Sequence, residues 1–416
     1  MSTLIVNGGR TLNGSISVHG SKNSVLPILS ATIINSGVST IHNCPRLRDV
    51  SAAIEILKHI GCKVEQSGDT VVVDSRCVTR CEVPDNLMRE MRSSVIFMGA
   101  ILARCGHISL FAPGGCELGA RPIDLHTYAL RQLGANIREE GGEITCSAKR
   151  LRGRDIVLSF PSVGATENTM LAATACEGRT RIINAAREPE IEDLQNFLVA
   201  MGAKVRGAGS STVIIEGAAP LHDVEFTVIP DRIIAATYMC AAAICGGHVR
   251  VENMVPEHIS TLVSILEGMG CEIKTGQSFA DIKRVGKLRA VRSVRTLPYP
   301  GFPTDAQPPL MAAATRTDGT SLFVENIFDG RYRHVSELVR LGAQISVEGK
   351  IALVYGVPQL YGNTVSATDL RGGAALVIAA MSAEGKSEIS GVSHIDRGYE
   401  KIEESMSVLG ADIKRV

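Results

Sequence analysis

Apolar residues recur at spacings of three and four along six segments of the chain, and a short glycine tag ends each segment. Before Gly202, for example, Ile191, Leu194 and Leu198 share one face of a predicted helix. A glycine that follows an amphipathic helix is typical of a left-handed C-cap. The six tag glycines lie 68 to 73 residues apart: Gly61, Gly134, Gly202, Gly270, Gly342 and Gly410. This regularity predicts six copies of one unit.

A β-rich stretch follows each tag, and an alanine-rich segment precedes the next β segment. Residues 211–215 and 351–354 have strand character, whereas residues 236–243 are mostly small and apolar. Each unit is therefore predicted to contain two helices and several strands.

The beginning of the chain carries a pattern that recurs late in it. Residues 6, 8, 12 and 14 match residues 354, 356, 360 and 362, and the sixth unit reaches Val416 before it supplies its last strands. The N-terminal residues are predicted to complete that unit. The sequence thus predicts two three-repeat domains, 22–229 and 1–21 with 230–416, and a cleft where the chain crosses near Ser21 and Pro230.

Composition limits the class of protein. A chain of 416 residues with 45% hydrophobic residues can bury more than one core, and equal numbers of basic and acidic residues, 43 each, favour neither nucleic acid nor an anionic membrane as partner. Eleven cysteines without paired spacing favour a reduced intracellular protein without structural disulfides. Residues 1–10 lack a signal-peptide pattern and the apolar run 233–245 is too short for a bilayer, so we expect a cytoplasmic protein.

Charged residues collect at the predicted helix starts. Lys22, Arg232 and Arg371 occupy equivalent positions before alanine-rich helices, where free N–H groups already favour anions. Asp231 and Asp396 are predicted N-caps. Asp305 stands between two prolines and no basic residue follows it to neutralise it, which makes it a candidate general base.

Most of the other reactive residue types are predicted to be structural. The cysteines in tags and alanine-rich segments read as packing residues, namely Cys62, Cys176, Cys240, Cys245 and Cys271. The ten histidines lack metal-ligand spacing, and neither a Walker loop nor a dinucleotide fingerprint occurs, so no metal or cofactor is expected. Cys116 differs, because Gly114, Gly115 and Gly119 favour a loop that swings the thiol over a substrate.

Eight segments together resemble the enolpyruvyl transferases. They are G-S-K-N from Gly20, M-R-S-S from Met91, P-G-G-C-E-L-G-A-R-P-I-D-L from Pro113, F-P-S-V-G-A-T-E-N from Phe160, N-A-A-R-E-P-E-I from Asn184, F-P-T-D from Phe302, A-T-D-L-R from Ala367 and H-I-D-R-G-Y from His394. The resemblance covers essentially the whole chain. It implies an α/β fold of two domains, each an inside-out α/β barrel of three repeats.

The cysteine loop points within that family to the enzymes that act on a nucleotide sugar. The resemblance then implies transfer of the enolpyruvyl group of phosphoenolpyruvate to the 3-hydroxyl of UDP-N-acetylglucosamine. Phosphate is released, and the product is the first committed precursor of peptidoglycan. Phosphoenolpyruvate and UDP-N-acetylglucosamine are the expected partners.

The resemblance also assigns roles to residues. Lys22, Arg121 and Arg397 are expected to hold the phosphate of phosphoenolpyruvate, and Arg331 and Arg371 to lie near its carboxylate. Cys116, Asp305, Lys22 and Arg397 are the expected catalytic residues. The expected nucleotide-sugar contacts are Asn23, Arg92, Arg121, Pro122, Ile123, Asp124, Leu125, Ser162, Val163, Gly164, Asp305 and Ile327.

Two features stay open at the level of sequence. Cys116 is either the general acid that protonates the methylene carbon or a nucleophile that attacks phosphoenolpyruvate, and in either role we expect the epoxide fosfomycin to alkylate its thiol. Arg48 stands where this family usually has lysine, which replaces a compact ammonium by a planar fork.

Two alternative functions are kept beside this one. A 3-phosphoshikimate enolpyruvyl transferase has the same fold but lacks the P-G-G-C loop. A non-catalytic clamp of six repeats would need a basic lining along its helices, whereas Asp193, Glu257 and Glu404 are mixed into them.

Overall fold

The computed structural model of the chain describes residues 2–111 and 123–416, which fall into two compact units. We call residues 20–111 and 123–229 the central unit, and residues 2–19 and 230–416 the terminal unit. The helices of the central unit are α1 (Lys22–Ala31), α2 (Arg48–Ile60), α3 (Asp85–Glu90), α4 (Phe97–Cys105), α5 (Asp124–Gln132), α6 (Val163–Ala173) and α7 (Pro189–Ala200). Those of the terminal unit are α8 (Arg232–Cys245), α9 (Ser260–Gly268), α10 (Gln307–Ala314), α11 (Val335–Arg340), α12 (Leu370–Ser382), α13 (Val392–Ile395) and α14 (Ile402–Val408).

Each unit contains three four-stranded sheets of one design, in which one outer strand pairs in parallel and the other two pairings are antiparallel. The central sheets are β14 (Val224–Thr227), β3 (Val38–His42), β5 (Thr70–Asp74), β4 (Lys63–Ser67); β6 (Glu82–Val83), β7 (His107–Phe111), β9 (Glu143–Ser147), β8 (Asn136–Glu140); and β10 (Asp155–Val157), β11 (Arg179–Ile183), β13 (Thr212–Glu216), β12 (Lys204–Arg206).

The terminal unit repeats the arrangement and adds a two-stranded pair, β18 (Leu288–Arg289) with β20 (Thr317–Asp318). Its sheets are β2 (Leu12–Ser17), β15 (Gly247–Glu252), β17 (Phe279–Arg284), β16 (Cys271–Thr275); β19 (Val294–Arg295), β21 (Thr320–Val324), β23 (Ile351–Tyr355), β22 (Gln344–Glu348); and β24 (Thr364–Ser366), β25 (Lys386–Ser390), β1 (Leu4–Asn7), β26 (Asp412–Arg415).

The centre of the terminal unit is formed by α8, α10 and α12, which pack against one another. Every residue of α8 and α10 is buried, because small and apolar side chains on all sides let the helices approach closely. Asp231 caps α8 as predicted, accepting hydrogen bonds from the N–H groups of Ile233 (2.8 Å) and Ile234 (3.1 Å). The helix starts, and the charged residues they carry, are thereby fixed in place.

The tag glycines have the left-handed backbone that the pattern predicted. Their φ values lie between 94° and 110°, and each glycine follows the end of α2, α5, α7, α9, α11 or α14 by one or two residues. A side chain at these positions would be strained. The N-terminal strand β1 lies between β25 and β26, with Leu4 opposite both Ile389 and Arg415, so the start of the chain completes the sheet at its end.

The prediction that Asp396 caps a helix is wrong. Asp396 follows α13 and forms a bidentate ion pair with Arg415 (2.7 and 2.9 Å). The buried packing cysteines Cys62, Cys176, Cys240, Cys245 and Cys271 are free thiols, as expected. Within residues 2–111 and 123–416, no helix is long and apolar enough to cross a membrane.

Candidate active site

Asp305 joins two buried arginines in the terminal unit. It lies in the 3₁₀ turn Thr304–Ala306, which leads into α10. Its Oδ1 accepts a hydrogen bond from Nη2 of Arg331 (2.7 Å), and its Oδ2 accepts one from Nε of Arg371 (3.2 Å). The arginine side chains are 1% and 2% exposed, whereas that of Asp305 is 28% exposed. The carboxylate therefore stays accessible while both cations are enclosed.

The guanidinium groups retain hydrogen-bonding capacity. Among the described residues, Nη1 of Arg331 and both terminal nitrogens of Arg371 lack a hydrogen-bond partner. Burial lowers the pKa of Arg371, but Tyr399, Asp305 and Asp231 together raise it above its ordinary value, so the group stays charged. Buried, charged donors without acceptors are costly, and an incoming anion relieves that cost.

This geometry corrects the expectation that nothing neutralises Asp305. Arg331 follows it by 26 residues and Arg371 by 66, so no local pattern revealed either ion pair. Two guanidiniums stabilise the carboxylate and weaken it as a base.

Arg331 is held from several sides. Its Nε donates to Thr304 Oγ1 (3.1 Å), and its guanidinium lies 5.0 Å from the centre of the Phe328 ring. His334 Nδ1 donates to the Arg331 carbonyl (3.0 Å), because a carbonyl can only accept. Burial lowers the pKa of His334 to about 4, although Asp369 and the bond to Arg331 act in the opposite direction. His334 is therefore neutral and adds no third cation to the cluster.

Arg397 lies in the segment between α13 and α14 and is half-buried. Its neighbour Asp396 is tied to β26 by Arg415, which also binds Glu403 through Nε (2.8 Å). A planar guanidinium that bridges two carboxylates holds its partners in a defined orientation. The last strand of the chain thus anchors the segment that carries Arg397.

In the central unit, Lys22 is the first residue of α1. Its Nζ forms an ion pair with Asp49 (2.7 Å), and the two side chains are 9% and 1% exposed. The predicted nucleotide-sugar contact Asn23 follows on the same helix. Asp49, in the first turn of α2, fixes the ammonium at a helix N-terminus, a place that favours anions.

Three further predicted segments are joined by Asn168 of α6. Its amide donates to Val95 O (3.0 Å) and to His126 Nδ1 (2.7 Å), and its Oδ1 accepts from Gly99 N (2.7 Å). Val95 belongs to the 3₁₀ turn Arg92–Ile96, and His126 to α5, which begins at Asp124. The starts of these elements are thereby held to α6.

The beginning of α6 belongs to the same group of helix starts. Ser162 caps the helix, accepting from Ala165 N (3.4 Å), and Val163 and Gly164 form its first turn. A Cβ at Gly164 would lie 2.9 Å from Cε1 of His126, so glycine lets α5 and α6 approach. Asp124, Leu125, Ser162, Val163 and Gly164 therefore belong to one group, together with Ile123, which precedes α5.

Part of the prediction lies outside the described residues, namely Cys116, Arg121 and Pro122. Of Arg92, the structure describes the backbone, which begins a 3₁₀ turn. Ile327 is described and lies in the terminal unit, where its N–H donates to Glu325 (2.8 Å).

Sequence reasoning missed the residues that hold the predicted ones: Asp49, Asn168, Thr304, Glu325, His334 and Arg415. Asn168 and Thr304 stand inside the segments that carried the family resemblance, so those segments could have indicated them. Asp49 reads as an ordinary acidic residue in a first helical turn. Glu325 and His334 bond to backbone groups two or three residues away, but no motif marked them. Arg415 had no signal either, because its partners are set by tertiary packing.

Comparison with known proteins gives one consistent result. Residues 6–406 match the family described as EPSP synthase (3-phosphoshikimate 1-carboxyvinyltransferase). The chain is 54% identical to UDP-N-acetylglucosamine 1-carboxyvinyltransferase 2 of Caldanaerobacter subterraneus subsp. tengcongensis, over 100% of both chains. It is 50% identical to UDP-N-acetylglucosamine 1-carboxyvinyltransferase 1 of Symbiobacterium thermophilum, over 99% of this chain and 95% of the relative.

Solved structures agree in fold. The enolpyruvyl transferase NikO from Streptomyces tendae is similar with a TM-score of 0.90 and 26% identity, over 100% of this chain and 99% of that one. EPSP synthase from Acinetobacter baumannii has a TM-score of 0.75 and 18% identity over the same shares. The second likeness concerns the mixed α/β fold alone.

Proposed function

The chain belongs to the EPSP synthase family of enolpyruvyl transferases, and from this premise we propose that it transfers the enolpyruvyl group of phosphoenolpyruvate to the 3-hydroxyl of UDP-N-acetylglucosamine. Relatives with 44–54% identity over nearly their whole length are named for transfer to that nucleotide sugar. The reaction releases phosphate and supplies the first committed precursor of peptidoglycan.

The observation that carries the proposal is the pair of enclosed arginines on Asp305. Three guanidinium nitrogens without partners, two of them on Arg371 and one on Arg331, suit a planar carboxylate such as that of phosphoenolpyruvate. Lys22 with Arg397, and Arg121 beyond the described residues, are proposed to bind its phosphate. Ion pairs and helix starts that are set before substrate arrives stabilise developing charge without reorganisation.

The nucleotide sugar is assigned to the remaining group. Asn23, Asp124, Leu125 and Ser162 to Gly164 lie at helix starts, whose free N–H groups suit a diphosphate. Arg92, Pro122, Ile123 and Ile327 are proposed as further contacts. No metal or cofactor has a part in the proposal.

The chemistry is addition followed by elimination. The sugar 3-hydroxyl loses its proton and adds to C2 of phosphoenolpyruvate, while C3 takes up a proton and becomes a methyl group. Loss of a proton from that methyl group then expels phosphate, restores the C2–C3 double bond and leaves the enol ether of the sugar as product. The protein has to supply a base, an acid and cations that hold phosphate and carboxylate.

Asp305 is proposed as the base for the hydroxyl. Its carboxylate is accessible, but both oxygens are engaged by arginines. The carboxylate of phosphoenolpyruvate would compete for those guanidiniums and free an oxygen of Asp305 to accept the hydroxyl proton. Binding of one substrate would thus activate the base for the other.

Cys116 is proposed as the partner that protonates C3 or forms a covalent adduct with phosphoenolpyruvate. Aspartic acid at this position can still donate a proton but lacks the sulfur that fosfomycin alkylates. C116A should be nearly inactive, whereas C116D should keep measurable turnover and resist the drug.

The finer architecture is also a proposal. The six sheets of one strand order support six copies of one repeat, three per domain, with helices inside and sheets outside. Domains of residues 22–229, and of 1–21 with 230–416, would follow, and the expected location is the cytoplasm.

One assay tests the function. Purified protein is incubated with phosphoenolpyruvate and either UDP-N-acetylglucosamine or 3-phosphoshikimate, and phosphate release is measured. We expect release with the nucleotide sugar alone. Release only with 3-phosphoshikimate would show that the chain has the 3-phosphoshikimate activity of the family instead. Release with neither acceptor would support a non-catalytic role.

A further inference from the structure

One buried carboxylate holds parts of both proposed substrate sites in the terminal unit. Glu325, which follows β21, is 1% exposed. Its Oε1 accepts hydrogen bonds from the N–H groups of Ile327 (2.8 Å) and Phe328 (3.0 Å). Both its oxygens are within reach of the Thr304 hydroxyl (3.1 and 3.0 Å). All these partners donate, so the group that they meet must accept with both of its terminal atoms. A carboxylate can do this, whereas a neutral amide has only one accepting atom.

The hydroxyl of Thr304 has a fixed direction. Because its single proton points to Glu325, its lone pairs face the other way, and one accepts from Nε of Arg331 (3.1 Å). Nη2 of Arg331 then binds Asp305, and Nη1 remains available. Glu325, Thr304 and Arg331 form a chain of hydrogen bonds, which we call the relay. The relay orients the guanidinium edge that carries Nη1 and that would meet the substrate.

A second branch leaves the same carboxylate. The bonded N–H groups shape the backbone at Ile327 and Phe328, and the Phe328 ring lies 5.0 Å from the Arg331 guanidinium. Ile327 is the proposed sugar contact of this unit. Glu325 thus supports a nucleotide-sugar contact through one branch and a phosphoenolpyruvate contact through the other.

We propose that Glu325 and Thr304 are positioning residues for the transfer reaction, Thr304 for the phosphoenolpyruvate carboxylate alone and Glu325 for both substrates. This inference rests on the proposed function. Neither residue has to touch a substrate, because each acts through Arg331 or through the backbone of residues 327 and 328.

Whether a residue affects one substrate or both can be measured by steady-state phosphate release with the full-length protein. T304V removes the hydroxyl but leaves Glu325 its two N–H partners, so we expect the KM for phosphoenolpyruvate to rise about 10-fold, the loss for a hydrogen bond to a charged group. The KM for UDP-N-acetylglucosamine should stay within about 2-fold. T304S restores the hydroxyl and should bring the KM back towards the wild-type value.

E325Q provides an independent variant. Its amide oxygen can still accept from residues 327 and 328, but its NH₂ donates towards Thr304 and competes there with Arg331. It should reproduce the T304V defect, whereas E325A should raise both KM values. The matched control is T315V, since the Thr315 hydroxyl, at the C-cap of α10, is also buried and donates to Ala312 O (2.7 Å), its one side-chain hydrogen bond within residues 2–111 and 123–416. Its KM values should not change.

Thermal melts identify the folded variants, and three results would be decisive. Folded T304V and E325Q with a phosphoenolpyruvate KM near that of the wild type would overturn the relay. Equal rises of both KM values in T304V would also overturn it, since they would indicate general loosening. A wild type that releases no phosphate would overturn the proposed function and this inference with it.

Discussion

Asp193 is a buried carboxyl group that contacts the helix carrying the proposed substrate residues Lys22 and Asn23. It lies on α7, is 2% exposed and accepts hydrogen bonds from Ser24 Oγ, on α1, and from Ile229 N (3.3 Å). Burial raises its pKa to about 6, although both hydrogen bonds act in the opposite direction and Glu190 adds to the rise. The helix that carries Lys22 and Asn23 is therefore tied to a carboxyl group that changes charge near pH 6.

The raised pKa sets the sign of a stability effect. The folded protein holds the Asp193 proton more tightly than the unfolded chain, so this contribution is complete below about pH 4 and is lost as pH rises through 6. In urea unfolding between pH 4 and 6, the free energy of unfolding of the wild type should fall relative to D193N by up to about 1.4 kcal/mol per pH unit.

The amide of D193N can still accept from Ser24 and Ile229, which makes it a matched reference. All other titrating groups are common to both proteins and cancel in the difference. Parallel stability curves over that pH range would show that Asp193 does not carry the raised pKa.

Individual residue roles were partly readable from the sequence. Asp231 was recognised as a cap because its partners lie two and three residues away. Asp396 looked the same but binds Arg415, 19 residues on. Local spacing predicts contacts within one helical turn, whereas an ion pair between elements depends on packing that no short pattern records.

At the scale of elements, the starts of helices were predictable and the links between them were not. Gly164, Asp124 and the M-R-S-S segment were known from their motifs. That Asn168 holds all three elements together follows only from its contacts with Val95, Gly99 and His126. Its side chain is 0% exposed, so its hydrogen bonds have no replacement from solvent.

Substitution of this amide should weaken nucleotide-sugar binding. N168D keeps an oxygen for Gly99 N but places the other oxygen against Val95 O, where the amide now donates. We expect at least about 10-fold weaker affinity for UDP-N-acetylglucosamine by calorimetry, because the hydrogen bonds that the amide donates to Val95 O and His126 Nδ1 are lost and the carbonyl is left facing a carboxylate oxygen.

The matched control for that element is N363D. Asn363 also donates its amide to a backbone carbonyl, Arg340 O (2.8 Å), but it is exposed and immediately precedes β24 in the terminal unit. Its affinity should be that of the wild type. Unchanged affinity in a folded N168D would remove Asn168 from the nucleotide-sugar site.

At the scale of the whole molecule, the spacing of recurring segments predicted more about long-range pairing than any local pattern did. Six regularly spaced glycines predicted six units, and the match of residues 6–14 to residues 354–362 predicted that the N-terminal segment completes the last of them. The structure has β1 between β25 and β26, with Thr3 and Val416 exchanging backbone hydrogen bonds of 2.8 and 2.9 Å. The pairing of the two ends of the chain was predictable here because the pattern of residues 6–14 recurs at residues 354–362.

This closure predicts that the chain tolerates circular permutation. Because Thr3 and Val416 already pair, a short glycine–serine linker can join the ends without moving either strand. New ends belong in the turn between β8 and β9, where Gly141 and Gly142 are exposed and an added Cβ would meet nothing within 4 Å. The permutant should keep wild-type phosphate release and melt within a few degrees of the wild type.

Deletion of residues 1–10, in contrast, exposes β25 and β26 and removes buried Leu4 and Val6, so it should lower the melting temperature by more than about 5 °C or prevent folding. A deletion that melts like the full chain would show that the terminal unit does not need β1, and a permutant that fails to fold would contradict the predicted tolerance to permutation.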